Sequence, residues 1–102
     1  MTDKVLRKLF LGFIQLHILH HAKKEPFYGA WMMEELKNHG YDISPGTLYP
    51  ILHNMEQEGL IKKNNRVIEG KIRKYYHITE LGSQVLEDGK IKVRELVDEI
   101  ME

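Results

Sequence analysis

The stretch from Ser44 to Gly59 constrains the fold more than any other part of the sequence. Ser44 offers a capping hydroxyl and is followed by a proline, a pair that commonly starts a helix. Gly59 tolerates the left-handed conformation in which helices often end. Apolar residues between them recur every three or four positions: Leu48, Ile51, Leu52 and Met55. This spacing predicts a helix over residues 45–58 with one buried face and one free face.

The rest of the chain shows five further segments of regular structure. The predicted helices cover residues 5–21, about 29–38 and 79–102, and the predicted strands cover residues 60–68 and 73–78, joined by residues 69–72. Thr79 is expected to cap the last helix, which Gly82 and Gly89 should weaken locally. The order helix, helix, helix, hairpin, helix predicts a mainly α fold with a small β-hairpin, a winged helix-turn-helix followed by one more helix.

Size and composition narrow the class of protein. A chain of 102 residues has room for one domain, or for one domain with a protruding helix. The absence of cysteine excludes disulfide scaffolds, thiolate zinc sites, iron–sulfur clusters and cysteine nucleophiles. The apolar N-terminal segment is too interrupted by polar residues to span a membrane, and it shows no small-residue cleavage site. The expected location is therefore the cytoplasm.

The net charge is zero, but the charges are unevenly distributed along the chain. Residues 62–77 contain six basic side chains and one acidic side chain, whereas residues 28–61 and 78–102 are acidic. A phosphate backbone responds to local charge rather than to the average over the chain. The basic stretch is therefore a candidate nucleic-acid contact.

The free face of the third helix carries small and hydrogen-bonding groups instead of the lysine and glutamate pairs of a merely solvated helix. Gly46 and Thr47 would allow backbone amides near the helix start to approach a phosphate. His53 and Asn54 lie further along and could reach base edges in a major groove, where asparagine can bind adenine through two hydrogen bonds. Pro50 removes a helical hydrogen bond without an evident structural benefit, which is typical of a functional position. An ordinary solvent-facing helix is the alternative.

The hairpin carries a basic tip beside an aromatic side chain: Lys71, Arg73, Lys74 and Tyr75. Such a wing can lie along phosphates or enter a minor groove. Charged edges also prevent unwanted strand pairing, so a solvated hairpin edge is the alternative interpretation.

The first and last helices together predict a dimer interface. The first helix is apolar around more than half of its circumference, and the last helix has no expected docking place in so small a core. The candidate interface residues are Leu9, Phe13, Val93, Leu96, Val97 and Ile100.

The histidines and serines do not form a recognisable catalytic set. His17 and His21 are four positions apart, which suits a shared metal ion, but the sequence places no third ligand beside them. The chain has no recognisable nucleophile arrangement and no glycine-rich phosphate loop. We therefore predict no enzyme activity, no metal site and no cofactor.

Four motifs together resemble the PadR-like family of bacterial and archaeal transcriptional regulators. They are Tyr28-Gly29, SPGTLYPIL at residues 44–52, MEQEGLI at residues 55–61 and RKYYHITELG at residues 73–82. The chain length is similar to the short branch of the family, which has a single C-terminal dimerisation helix. Some short members bind planar drugs through an aromatic residue on that helix, but this chain has no aromatic residue after Tyr76. The sequence therefore identifies no effector.

The resemblance implies a homodimeric DNA-binding repressor that reads an inverted repeat. Residues 1–78 would form the winged helix-turn-helix DNA-binding domain, and residues 79–102 the dimerisation helix. The resemblance also assigns recognition or phosphate contacts to Tyr28, Ser44, Thr47, Tyr49 and Pro50, and wing contacts to Arg73, Lys74 and Tyr75. No membrane partner is expected.

Two other functions remain open from the residues alone. A winged helix can serve as a protein-interaction module, in which the second helix and the acidic last helix would bind a basic partner. A histidine-dependent metal sensor is the third interpretation, and His17 would be essential to it.

Overall fold

The computed structural model describes residues 2–102, which form four helices and three strands. In chain order these are α1 Thr2–Lys24, β1 Phe27–Tyr28, α2 Gly29–Asn38, α3 Pro45–Gln57, β2 Ile61–Ile68, β3 Lys71–Ile78 and α4 Glu80–Ile100. The predicted mainly α fold with a small β element is confirmed. No helix within residues 2–102 is both long and apolar enough to cross a membrane.

A single hydrophobic core holds the helices together. Its fully buried side chains come mainly from α1, α2 and α3, and they are Ile14, Ile18, Leu19, Met32, Leu36, Leu48, Leu52, Met55 and Ile61. The stripe predicted for α3 is confirmed, with Ile51 half-buried against the core. Each such side chain contributes about 1.5–3 kcal/mol of burial free energy, so the stripe fixes which side of α3 faces outward.

The sheet contains one strand that sequence analysis missed. The strand order is β1-β3-β2, with all neighbours antiparallel. Strand β1 is only two residues long, too short for an alternating pattern. It is positioned by long-range packing, since the buried Phe27 ring stacks on Tyr76 with centroids 5.4 Å apart. The short strand attaches the start of α2 to the wing.

The hairpin connection is shorter than predicted. Strand β3 begins at Lys71, so the predicted start at residue 73 and the four-residue connection are wrong. Glu69 and Gly70 alone form the turn, with φ of +52° and +76°. Two successive positive φ values match the two-residue turns that follow the natural twist of a hairpin. This turn fixes the register in which Arg66 lies opposite Arg73.

The start of α3 differs from the prediction in one detail. Ser44 is the N-cap residue, but its hydroxyl accepts no hydrogen bond from the helix backbone. Its Oγ instead lies 3.4 Å from Oγ1 of Thr47, and only its carbonyl accepts the amides of Thr47 and Leu48. The predicted hydroxyl cap is therefore wrong, because the side chain pairs with a neighbouring hydroxyl.

Helix α4 begins at a tightly bonded corner. The Thr79 hydroxyl donates to the Gly59 carbonyl over 2.5 Å and accepts the Gly82 amide over 3.0 Å, which confirms the predicted cap. The Thr79 backbone amide donates to the Leu60 carbonyl over 3.1 Å. A side chain at Gly82 would overlap the Leu60 carbonyl, and one at Gly89 would lie 2.8 Å from Leu16 Cδ2. Both glycines therefore permit close packing within an unbroken helix.

The expectation that α4 has no docking place is wrong for its first half. Leu86 is buried in the core, and this part of α4 packs along α1. The second half differs, because every residue from 90 to 100 is exposed. Helix α4 therefore extends away from the core along part of its length.

Candidate nucleic-acid interface

The outward face of α3 is free of internal packing. Gly46, Pro50, His53 and Asn54 are exposed, and Thr47 is half-buried. None of these side chains is used by the core, because the buried stripe lies on the opposite side of the helix. The structure thus brings together on one accessible surface the residues predicted to read bases.

Pro50 lies inside α3 without breaking it, since the helix runs from Pro45 to Gln57. A proline at this position lacks the amide that would bond the carbonyl four residues earlier, which belongs to Gly46. The ring lies on the exposed side of the helix. It therefore gives the free face a rigid apolar surface at no cost to core packing.

Tyr49 has a structural contact as well as an exposed surface. Its side chain is 46% exposed, and its ring lies directly against Gly29 at the start of α2. A side chain at Gly29 would lie 2.8 Å from ring carbons of Tyr49. The Gly29 position therefore lets α2 and α3 approach closely, and Tyr49 borders the free face of α3.

The pleat of β3 places Arg73 and Lys74, which sequence analysis grouped in one basic tip, on opposite faces of the strand. Successive side chains of a strand point to opposite faces, so Lys71, Arg73 and Tyr75 share one face of β3. Lys74 points to the other face, together with the buried Tyr76. The basic tip therefore presents cations on both sides of the hairpin.

Two arginines and two tyrosines form an aromatic–arginine cluster, defined by Tyr28, Arg66, Arg73 and Tyr75. The Arg73 guanidinium carbon lies 4.2 Å from the centroid of the Tyr28 ring. The Arg66 guanidinium carbon lies 4.6 Å from the centroid of the Tyr75 ring. The two rings meet edge to face with centroids 5.6 Å apart. Cation–π contacts of this kind orient each guanidinium.

Arg66 was not among the predicted site residues. Its place in the cluster depends on the register across the two-residue turn, which pairs it with Arg73. The Glu69-Gly70 pair was the signal that could have identified it, since an acidic residue followed by glycine favours a tight hairpin turn. The predicted four-residue connection would not place Arg66 opposite Arg73.

The basic hairpin is largely unneutralised. Within residues 2–102, the only hairpin cation in a salt bridge is Lys63, whose Nζ lies 3.8 Å from Glu56 Oε1. The remaining cations are Lys62, Arg66, Lys71, Arg73 and Lys74. Without carboxylates beside them, these side chains keep their attraction for an external polyanion.

A second surface, formed by α1 and α4, is apolar. The predicted interface residues of these two helices are exposed, from 37% at Phe13 to 64% at Ile100. Phe13, Val93 and Val97 line a groove of about 570 Å³ between the two helices. The structure therefore brings residues from both ends of the chain onto one surface.

The fold agrees with a comparison of the sequence with protein families. The profile of the family described as "Transcriptional regulator PadR-like family" matches residues 18–88. The chain belongs to the PadR-like family.

Similar proteins and solved PadR-like structures cover almost the whole chain. The transcriptional regulator Rv3488 of Mycobacterium tuberculosis is 41% identical over 96 residues, which is 94% of this chain and 90% of the relative. A PadR-like regulator from Bacillus cereus superposes with a TM-score of 0.82 at 32% identity, covering 93% of this chain and 97% of that one. A PadR family regulator from Eggerthella lenta gives 0.80 at 30% identity, covering 95% and 86%.

Family membership confirms the winged-helix interpretation of the fold. PadR-like proteins are transcriptional regulators that bind DNA, and α3 and the hairpin of this chain stand where a winged helix has its third helix and its wing.

Proposed function

We propose that this chain is a homodimeric repressor that binds an inverted-repeat operator. In this proposal α3 enters the major groove, and the wing contacts the backbone or an adjacent minor groove. The observation that carries the proposal is the free face of α3, which is exposed, rich in small and hydrogen-bonding side chains, and held outward by the buried Leu48, Leu52 and Met55.

The chemistry of that face favours base recognition. Asn54 can pair its amide with adenine N6 and N7, and His53 offers a ring nitrogen to neighbouring bases. At the helix start, Gly46 places no side chain between the backbone amides and a phosphate. Thr47 and Ser44 add hydroxyl groups beside them. The helix would therefore use its first turn for positioning and its second and third turns for specificity.

The wing would supply most of the electrostatic attraction. Arg66 and Arg73 are oriented by the tyrosine rings of the aromatic–arginine cluster, and neither forms a salt bridge within the described residues. An oriented guanidinium loses less side-chain entropy when it binds a phosphate than a freely rotating one. Lys71 extends the same face towards the turn, whereas Lys74 could contact the backbone on the other side.

Dimerisation would bury the exposed apolar surface of α1 and α4. Exposed apolar residues on neighbouring helices mark an interaction surface. A two-fold axis through this surface would present two α3 helices to the same side of a duplex. Half-sites would then lie about 10 base pairs apart, one turn of DNA.

An effector, if one exists, would act through the angle between the two protomers. A ligand shifts an equilibrium only by binding two states with different affinity. Binding between α1 and α4 would favour one angle and so change the distance between the two recognition helices.

Selection of bound sequences from a random double-stranded DNA pool tests the proposal. We expect a pseudo-palindrome with half-sites about one helical turn apart. Asn54→Ala should weaken specific binding by about 5–150-fold, equivalent to 1–3 kcal/mol, while leaving non-specific binding nearly unchanged. Gln84→Ala, an exposed change on α4, is the matched control. Enrichment of no sequence, with binding to a basic protein instead, would favour a protein-interaction module.

A further inference from the structure

Three histidines that are separated in the sequence lie together in the fold. His17 and His21 are one turn apart on α1, and His39 follows directly after α2. The donor nitrogens of the three rings all lie within 4.8 Å of one another. The third ligand that sequence analysis could not place is therefore provided by the packing of α2 against α1.

A carboxylate completes the cluster. Glu35 lies one turn before His39 on α2, and its Oε1 is 3.3 Å from Nε2 of His39 and 3.5 Å from Nε2 of His21. Helix α1 thus contributes two donor residues four positions apart, and α2 with its C-cap residue contributes another such pair. This arrangement surrounds a small volume with three imidazoles and one carboxylate.

The ring of His21 carries an independent sign of a missing ligand. Its side chain is only 11% exposed, and its buried Nε2 makes no hydrogen bond within residues 2–102, because Glu35 Oε1, 3.5 Å away, lies outside hydrogen-bonding geometry. Buried polar atoms normally have a hydrogen-bond partner, and a buried nitrogen without one is suited to bind an ion. The unpaired nitrogen faces the same volume as the Glu35 carboxylate.

We propose that His17, His21 and His39, with Glu35 as the fourth donor, bind a divalent transition-metal cation such as Zn²⁺. Imidazole and carboxylate ligands suit zinc, cobalt and nickel rather than magnesium or calcium. A tetrahedral zinc ion with bonds of about 2.0–2.1 Å needs neighbouring donors about 3.3 Å apart. Side-chain rotation can bring the present rings to that separation, because His39 is 46% exposed and free to turn.

The protonation state of the cluster favours metal binding. Desolvation is the main cause that lowers the pKa of His17 and of His21, and neighbouring histidines lower it further, while Glu35 acts in the opposite direction. Both rings are therefore neutral near pH 7, which is the form that binds metals. The lysine that faces this end of α1, Lys24, also opposes protonation of His21.

Bound metal would join α1 to the C-terminal end of α2. His39 precedes the segment that leads into α3, and His17 also borders the groove between α1 and α4. The ion would therefore cross-link α1, which carries part of the apolar surface, to the end of α2, which leads towards α3.

Direct titration of metal into chelator-treated, tag-free protein tests the site. Calorimetry with Zn²⁺ should give one ion per chain with micromolar or tighter affinity, and Mg²⁺ should give no heat of binding. Co²⁺ should produce the intense visible absorption of a tetrahedral complex. Thermal unfolding should shift to higher temperature with Zn²⁺, because the ion binds only the folded chain at this site.

Variants separate the site from adventitious binding. His39→Gln and Glu35→Gln should each weaken Zn²⁺ binding by about 10–100-fold and lose the tetrahedral cobalt spectrum. His20→Gln, on the same helix but outside the cluster, should change the affinity by less than about twofold. Circular dichroism verifies that each variant is folded, and the exposed position of His39 makes it the decisive one.

The proposal is overturned if zinc affinity is only millimolar in the parent chain. It is equally overturned if His20→Gln weakens binding as much as His39→Gln, or if His39→Gln retains the cobalt spectrum. None of these readouts requires DNA, so failure of the metal site is distinguishable from failure of the proposed repressor function.

Discussion

The two exposed surfaces of this protein differ in chemistry although both lack internal packing. The free face of α3 is small and polar, with Gly46 and Asn54 as typical members. The surface formed by α1 and α4 is apolar, with Phe13 and Val97 as typical members. Exposure alone therefore says little about function. The side chains indicate the partner, hydrated nucleic acid for the first surface and another apolar surface for the second.

The largest expected effect comes from placing a charge on the apolar surface. Val97→Asp puts a carboxylate into the groove between α1 and α4, where dimerisation would desolvate it. We expect a monomer and, because the second half-site is lost, about 100-fold weaker operator binding or more. Sedimentation and binding assays measure the two effects. Gln84→Asp, an exposed acid elsewhere on α4, should leave both unchanged. A dimeric Val97→Asp protein would contradict the assignment of the two surfaces.

A smaller effect is expected from one methyl group on the polar surface. Gly46→Ala has room in the fold, since its new carbon would meet only Ser44 Oγ at 3.5 Å. The helix should become more stable by up to about 1 kcal/mol, while the added methyl holds a phosphate away from the backbone amides. We expect DNA affinity to fall by about tenfold although the free energy of unfolding rises.

Gly12→Ala is the matched control for Gly46→Ala, because nothing lies within 4 Å of its new carbon. It should stabilise α1 by a similar amount and leave DNA affinity unchanged. Equal DNA affinity of the Gly46→Ala and Gly12→Ala proteins would show that α3 does not approach a phosphate at its first turn.

A change in the wing should alter the salt dependence of DNA binding more than the preference for a DNA sequence. Arg73→Ala removes one phosphate-binding cation, so the slope of log affinity against log salt should become shallower by about one. Lys92→Ala removes a cation that is paired with Glu95 on α4, and should leave the slope unchanged. An unaltered slope in Arg73→Ala would remove the wing from the DNA-binding surface.

The smallest expected effect concerns the junction of α1 and α2 between the two surfaces. The pKa values of His17 and His21 are lowered in the fold, chiefly by desolvation. The unfolded chain therefore takes up protons first as the pH falls below about 6.5, and the folded chain loses stability there. Denaturation of metal-free protein at pH 7.5 and 5.5 should show lower stability at the lower pH. Replacing both histidines with glutamine should reduce that difference, whereas His53→Gln should not.

Local sequence signals predicted the helices of the fold well. The apolar stripe of α3, the positive φ of Gly59, and the Thr79 cap all depend on residues within a few positions of one another. Such interactions can be predicted from the spacing and the types of the residues. The free face of α3 followed from the same stripe, so the main surface of the candidate site was predictable.

Non-local contacts account for what sequence reasoning missed. Strand β1 exists because Phe27 stacks on Tyr76, a residue 49 positions later. Arg66 joined the site through a register set by the turn, and His39 joined the histidine cluster through helix packing. The Ser44 hydroxyl pairs with the Thr47 hydroxyl and not with the helix backbone. The positions of β1, Arg66 and His39 depend on contacts that exist only in the assembled fold. The Ser44 partner depends on competition between local hydrogen bonds of similar strength.

The corner at Thr79 makes α4 a lever arm with one end anchored. The anchored part reaches Leu86 and Gly89, which lie against the core and against Leu16, so the free arm is the 11 residues that follow Gly89 up to Ile100. Its length is roughly 16 Å at 1.5 Å per residue, and a tilt of about 10° at Gly89 would move the far end by about 3 Å. Because the Thr79 amide also bonds the carbonyl of Leu60, the residue before β2, a small movement between the two protomers of the proposed dimer would be transmitted along this arm to the wing.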